Sequence, residues 1–155
     1  MNSIKCTKKE YATRSIGELE DFLGCTIKHD LTKTTLNISQ PDIINRTTQC
    51  FNKDMESLMT FNTPATPHKG ILRNQETDTN ISYDLQEIYR SGIGSLIYLV
   101  KHSRTKLSNV VHEISQCMYE TNMSHHKALL LAIKYIIDTK YYCYQMKPYE
   151  NINVP

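Results

Sequence analysis

The chain has 155 residues, the length of one ordinary domain, and 39% of them are hydrophobic. Its 18 basic and 16 acidic residues leave a net charge of +2, well short of the imbalance that a dedicated nucleic-acid-binding protein usually carries. A mean hydropathy of −0.47, with no apolar run of about 20 residues, predicts that it is not an integral membrane protein. Any contact with nucleic acid would therefore depend on local clusters of charge.

The cysteines and the amino-terminal composition indicate the compartment. Five cysteines, an odd number, are scattered along the chain without a Cys-x-x-Cys pair, as is typical of free, mostly buried thiols in a reducing compartment. The amino-terminal region contains no apolar stretch of the kind that a secretory signal peptide requires. The sequence predicts an intracellular protein, cytoplasmic or nuclear, that is not secreted.

A β-hairpin is predicted near the amino terminus. Apolar and polar residues alternate loosely over Phe22–His29 and again over Thr34–Ser39. Between these segments, Asp30–Lys33 has the composition of a four-residue hairpin loop.

A helix is predicted to follow the hairpin directly. Ser39 can cap it, and Pro41 and Asp42 suit a first helical turn. The apolar spacing continues to about Phe51. From there to about residue 80 the periodicity disappears and Pro, Thr and Asn dominate, which predicts a long polar surface loop or linker.

Three further helices are predicted, over about Tyr83–Lys101, over about Leu107–Tyr119, and from after Ser124 to about Asp138. The first carries an apolar stripe made of Leu85, Ile88, Tyr89, Gly92, Leu96 and Leu99. The third is apolar nearly all round, which is typical of a buried helix.

Two glycines lie inside the first of these three helices. Gly92 and Gly94 each cost ~1 kcal/mol relative to Ala in a helix interior. A helix that carries both predicts the close approach of another backbone.

The order of elements defines the fold class. After the helices, Lys140–Met146 reads as a tyrosine-rich, half-buried strand. The chain is therefore predicted to be α+β, with an N-terminal β-hairpin, a mostly helical region and a C-terminal strand. Its predicted divisions are 1–52 (hairpin and helix), 53–81 (polar loop) and 82–155 (three helices and a strand).

Several phrases, in order, resemble one known family. They are Ile16–Leu19 with Phe22-Leu23-Gly24, Leu36–Gln40, Asn62-Thr63-Pro64, Tyr89–Leu99, and His125 and Ala128 with Ile133–Ile136 and Thr139. These phrases resemble "LGEL-x-x-FLG", "I-x-LSQ", "x-TP", "YRSLVGSLLYL" and "HW-x-A-x-x-x-ILRYL-x-GT" of copia-type retrotransposon reverse transcriptases, in the segment after the catalytic palm. The resemblance covers nearly the whole chain.

The chain also departs from the family pattern. Arg104-Thr105-Lys106 stands where the family usually has Arg-Pro-Asp, and His126 and Asp138 replace a Trp and a Gly. These changes suggest a relaxed or decaying copy.

The resemblance implies a thumb-like fragment. In the family, an upstream palm holds an aromatic-x-Asp-Asp motif whose carboxylates bind Mg²⁺. This chain has no Asp-Asp pair, and its one adjacent acidic pair, Glu20-Asp21, does not follow an aromatic residue. It is therefore expected to have no catalytic residues, no metal site, no cofactor of its own and no polymerase activity alone. The segment would comprise the primer grip, the thumb and the start of the connection.

The same resemblance implies a site. Phe22, Leu23 and Gly24 would correspond to the primer grip, and Lys101, Arg104 and Lys106 would contact phosphates. The implied partner is an RNA/DNA hybrid or another duplex, bound weakly, together with the palm or ribonuclease H parts of a polyprotein. No membrane partner is expected.

Other interpretations of these residues stay open. Lys101–Lys106 also fits a solvated turn between helices, and Phe22 and Leu23 also fit the core of the hairpin. Tyr141, Tyr142 and Tyr144 fit a strand better than a base-stacking platform. The pair His125-His126 and the spacing of His112 and Cys117 could suggest a metal site. Capping and packing are favoured over metal binding for these histidines.

Other functions stay open as well. The chain could be a captured helical module that binds a protein partner, or a decayed remnant without function. An independent enzyme ranks last, because no nucleophile, carboxylate pair, phosphate-binding loop or metal motif supports it.

Overall fold

A computed structural model describes residues 20–55, 58, 62–65 and 81–147. The phrase at residues 16–19 and most of the predicted polar loop lie outside these ranges. The elements, in chain order, are β1 (Asp21–Phe22), β2 (Cys25–Asp30), β3 (Thr35–Ser39), α1 (Pro41–Met55), α2 (Tyr83–His102), a 3-10 turn (Thr105–Leu107), α3 (Ser108–Ser115), α4 (Met123–Asp138) and β4 (Tyr144–Met146). The predicted α+β class is confirmed.

The four strands form one antiparallel sheet in the order β1-β2-β3-β4. The predicted hairpin is confirmed as β2 and β3, although Asp30 belongs to β2 and pairs with Thr35. The Asp30 carboxylate accepts hydrogen bonds from the hydroxyl of Thr32 at 2.6 Å and from the Lys33 amide at 3.2 Å. These bonds, that of the Thr32 hydroxyl first, lower the pKa of Asp30. The loop is thus organised by the residue that precedes it.

Helix α1 begins with Pro41 and Asp42 in its first turn, as predicted, but differs from its prediction in its capping residue and in its carboxyl end. Ser39 is the last residue of β3, so Gln40 directly precedes the helix and the prediction of a Ser39 cap is wrong. The Gln40 side chain is buried and accepts a hydrogen bond from the Ser103 hydroxyl at 2.7 Å. The helix continues past Phe51 to Met55, and both residues are buried. The strand pairing of Ser39 and the long-range bond of Gln40 to Ser103 therefore outweigh the capping preference of Ser39.

The later helices keep their predicted order and change their ends. The second predicted helix is shorter, because a 3-10 turn precedes it and α3 ends at Ser115. Helix α4 begins at Met123, before the predicted start, because Asn122 caps it. The Asn122 side chain accepts a hydrogen bond from the His125 amide at 2.9 Å, and the His125 ring accepts one from the Asn122 amide at 3.2 Å. The capping role expected of His125 is confirmed.

One apolar core joins the four helices. Its buried members are Ile44, Phe51 and Met55 of α1, Tyr89, Ile93, Leu96 and Leu99 of α2, Leu107, Val110, Val111 and Ile114 around α3, and Leu129, Ala132, Ile133, Tyr135 and Ile136 of α4. In the predicted stripe of α2, Ile88 is exposed and Ile93 is buried instead. The core crosses the predicted boundary between residues 1–52 and 82–155.

The two glycines of α2 have different surroundings. A methyl group at Gly92 would lie 2.9 Å from Cζ of Phe51 and 3.0 Å from Cδ2 of Leu129. A methyl group at Gly94 would meet no packed neighbour among the described residues within 4 Å. Side chains and not another backbone approach Gly92, so the predicted close approach of a backbone is wrong at Gly92 as it is at Gly94. At Gly92 the missing side chain instead leaves room for Phe51 and Leu129.

This contrast gives substitutions with opposite expected signs. Gly92→Ala should lower the free energy of unfolding by about 1 kcal/mol, because over-packing costs about 1–3 kcal/mol and Ala regains about 1 kcal/mol of helix propensity. Gly94→Ala should raise it by about 0.5–1 kcal/mol. Urea unfolding followed by circular dichroism measures both. Stabilisation by both substitutions would contradict the packing described at Gly92.

The C-terminal strand β4 is an edge strand of the sheet. β4 is shorter than the predicted strand Lys140–Met146 and pairs Tyr144 with Ile38 and Met146 with Leu36. All three of its residues are exposed, so the prediction of a half-buried strand is wrong. Among the described helices, none combines the length and apolar character needed to cross a bilayer.

Candidate nucleic-acid interface

The turn between β1 and β2 projects into solvent. Phe22 pairs with Cys25, which leaves Leu23 and Gly24 as a two-residue connection with φ of 51° and 68°. A left-handed conformation at both central residues is the hairpin geometry that fits the twist of paired strands. Phe22 is 55% and Leu23 62% exposed, so the interpretation that they belong to the hairpin core is wrong.

Tyr98 of α2 holds this turn in place. Its hydroxyl donates a hydrogen bond to the carbonyl oxygen of Leu23, 75 residues earlier in the chain. A Cβ at Gly24 would lie 3.6 Å from the same hydroxyl, an ordinary contact, so the positive φ and not lack of space favours glycine there. Sequence reasoning missed the role of Tyr98, because helical spacing does not show which distant backbone atom a side chain contacts.

The end of α2 carries the first predicted cations. Lys101 is exposed, and His102 is half-buried with its Nδ1 3.0 Å from the carbonyl oxygen of Tyr98. The rings of Tyr98 and His102 have centroids 4.5 Å apart. Residues three and four apart are neighbours on a helix surface. Lys101 therefore lies on the side of α2 that holds the turn.

Arg104 occupies a different environment from the two lysines. It is only 7% exposed, and its Nη2 donates to the carbonyl oxygen of Thr139 at 2.7 Å. The guanidinium also lies 5.8 Å from the ring centroid of Tyr142. Burial lowers the pKa of Arg104. Lys106, in the 3-10 turn, is exposed. The expected cluster of three cations therefore presents Lys101 and Lys106 to solvent and commits Arg104 to an internal contact.

The remaining candidates of the sequence are also located. His125 and His126 are buried, and Tyr141 and Tyr142 are exposed. Nε2 of His112 lies 2.8 Å from the Gln116 side-chain amide. In the part of the chain that the structure describes, no group of three His, Cys, Asp or Glu side chains is placed to hold a metal ion.

The chain was compared with known proteins. No protein-family model, curated protein or solved structure matches it. The resemblance carried by the sequence phrases, and the site that it implies, therefore stay predictions.

Proposed function

We propose that this chain contributes to holding an RNA/DNA hybrid as the post-palm segment of a copia-type reverse transcriptase. The observation that carries the proposal is the hydrogen bond from Tyr98 to Leu23. It joins two segments that the family resemblance had singled out separately, the turn at Phe22–Gly24 and the end of α2, which carries Lys101. Their common side of the molecule is the proposed interface.

The chemistry of this interface suits a duplex backbone. A two-residue turn with glycine allows close approach of backbone amides to phosphates. Lys101 and Lys106 are exposed, and each supplies an ammonium group that can neutralise a phosphate. Such contacts follow the shape of an A-like duplex and do not read its bases. The expected binding is therefore weak, indifferent to sequence and sensitive to salt.

In this proposal the chemical step belongs elsewhere. The palm of the family supplies the carboxylates that bind Mg²⁺, and this segment would only position the template and primer. Polymerisation by the isolated chain is not expected.

The test is fluorescence anisotropy of a labelled RNA/DNA hybrid, titrated with the protein at several salt concentrations. Affinity should fall as salt rises, with a log–log slope of about −0.7 to −0.9 for each neutralised phosphate. Lys101→Ala combined with Lys106→Ala should weaken binding and reduce that slope by about 1–2.

A matched control is Lys127→Ala, which removes the same charge from an exposed position of α4. Lys127 lies 12 residues before Thr139, the residue that Arg104 contacts. That separation is roughly 18 Å along a helix, so Lys127 lies away from the segment Lys101–Lys106. The control should bind the hybrid like the unaltered protein. Equal losses for control and double variant would indicate only an effect of net charge, and a folded chain that does not bind the hybrid would refute the proposal.

One observation favours a second candidate, a module that binds a protein partner. The strand register places Ile38 opposite Tyr144 and Leu36 opposite Met146, so these four apolar side chains share one face of the sheet. Tyr144 and Met146 are exposed there. Apolar surface of this kind can mark an interaction site. Failure of hybrid binding by a folded chain would favour this candidate.

A further inference from the structure

A cavity of about 370 Å³ opens beside the buried guanidinium of Arg104. The walls come from the 3-10 turn, the end of α4 and the segment leading into β4, and include Arg104, Lys106, Tyr135, Tyr141, Tyr142 and Gln145. Its volume lies in the lower part of the range of small-molecule sites, about 300–1,000 Å³. Among the described residues that line it, none is acidic.

Among the described residues, no carboxylate forms an ion pair with Arg104, although a buried cation normally has such a counter-ion. Its Nη2 donates to a carbonyl oxygen, but its Nε is buried and meets no hydrogen-bond acceptor in the part of the chain that the structure describes. Asp138, the acidic residue next to Thr139 in the sequence, is bonded to Lys134 Nζ at 2.7 Å. Burying a charge without a partner costs free energy, so an anion that pairs with the guanidinium would stabilise the site. A guanidinium is a side chain that suits the oxygens of a phosphate or a carboxylate.

Exposed tyrosine rings stand beside this cation. Tyr141 is 84% and Tyr142 60% exposed, and both line the cavity. Cations already contact these rings, with Arg104 5.8 Å from the centroid of Tyr142 and Lys140 Nζ 5.0 Å from that of Tyr141. Aromatic rings exposed beside cations are the arrangement on which nucleic-acid bases stack.

The charge balance narrows the class of ligand. Two cations, Arg104 and Lys106, line the cavity. A carboxylate brings one negative charge, whereas a phosphate monoester brings about −1.5 to −2 at pH 7. We propose that this cavity binds a nucleotide, with the phosphate monoester at Arg104 and Lys106 and the base against Tyr142 or Tyr141. The nucleotide could be a free nucleoside monophosphate or the phosphorylated end of a strand.

This inference shares Lys106 with the proposed hybrid interface but does not rest on hybrid binding, because Arg104 and the tyrosines carry it and the turn at Phe22–Gly24 does not. Isothermal titration calorimetry with adenosine 5′-monophosphate, adenosine and inorganic phosphate tests it. The nucleotide should bind more tightly than either half alone. Lys101→Ala should leave nucleotide binding unchanged, so failure of the hybrid interface and failure of this cavity can be told apart.

Arg104→Gln should weaken binding of the nucleotide about tenfold or more, because a charge-assisted contact is lost. Since that variant also loses the bond to Thr139, Tyr142 provides a test that spares the core. Tyr142→Ala should weaken binding about fivefold or more, and Tyr142→Phe, which keeps the ring, should retain it. A folded protein that binds no nucleotide, or equal affinities for Tyr142→Ala and the unaltered chain, would overturn the proposal.

Two oligonucleotides that differ only in a 5′-phosphate distinguish the sources. Preference for the phosphorylated strand over both the unphosphorylated strand and the free nucleotide would support a strand end as the ligand. Equal binding of the free nucleotide and the phosphorylated strand would support the mononucleotide. Preference for the unphosphorylated strand would overturn the role of Arg104.

Discussion

Replacing Phe51 by Ala should lower the free energy of unfolding by about 3–5 kcal/mol. Phe51 belongs to α1 but is buried in the core that α2, α3 and α4 share. Its ring also abuts the position where Gly92 has no side chain. Because a domain of this size is stable by only about 5–15 kcal/mol in total, the loss would remove a large share of the stability. Urea unfolding followed by circular dichroism measures it.

Combining Phe51→Ala with Gly92→Ala makes the test specific to the contact. The methyl group that would crowd Phe51 at 2.9 Å faces a cavity once the ring is gone. Gly92→Ala should then cost less than it does alone, or become stabilising, because helix propensity is regained without over-packing. The double variant should therefore be more stable than the sum of the single changes predicts, by about 1 kcal/mol or more.

Gly94→Ala is the matched control for this cycle, because its added methyl group has no packed neighbour within 4 Å in the part of the chain that the structure describes. Its effect should be the same with and without Phe51. Additive effects of Phe51→Ala and Gly92→Ala, or a cost for Phe51→Ala below about 1 kcal/mol, would contradict the packing of α1 into the common core.

Stability should fall steeply at alkaline pH through a single buried tyrosine. Tyr89 is fully buried, and its hydroxyl donates to the carbonyl oxygen of Ile114 at 2.7 Å. Burial, and secondarily the nearby Cys117, raise the pKa of Tyr89 above its ordinary value. The folded state therefore keeps a proton that the unfolded state releases above about pH 10. Because the unfolded state then binds fewer protons, stability declines as pH rises, by about 1.4 kcal/mol per pH unit.

Tyr89→Phe isolates this contribution. At neutral pH the variant should be less stable by about 1 kcal/mol, because it loses a buried hydrogen bond. Above about pH 10 its stability should fall less steeply, so that the two curves meet near about pH 11. Urea unfolding at a series of pH values measures both effects.

Tyr119→Phe is the control, since Tyr119 is 85% exposed and its hydroxyl has similar surroundings in both states. This control should follow the unaltered protein at every pH. A slope for Tyr89→Phe equal to that of the unaltered protein would show that Tyr89 ionises as easily folded as unfolded.

The sequence by itself determined the helices and the fold class. The spacing that predicted a helix over about Tyr83–Lys101 comes within one residue of Tyr83–His102, because a buried helical face imposes its own period on the chain. Signals set by residues close together in the sequence also predicted the β2–β3 hairpin and the need for a small residue at Gly92. It also led to the turn at Phe22–Gly24 and to the exposed Lys101 and Lys106, through a family resemblance that stays a prediction.

Only the tertiary structure decided which residues meet. Tyr98 reaches Leu23 across 75 residues, and β4 pairs with a strand near the other end of the chain. In the sequence, Arg104 resembles a solvent-facing cation beside Lys106. In the structure it is buried and donates a hydrogen bond to the carbonyl oxygen of Thr139. A period or a turn signal is set by neighbours in sequence. Contacts between residues far apart in the chain form only when the whole core forms. Burial and hydrogen bonding are then satisfied together, and their combined free energy outweighs local conformational preference.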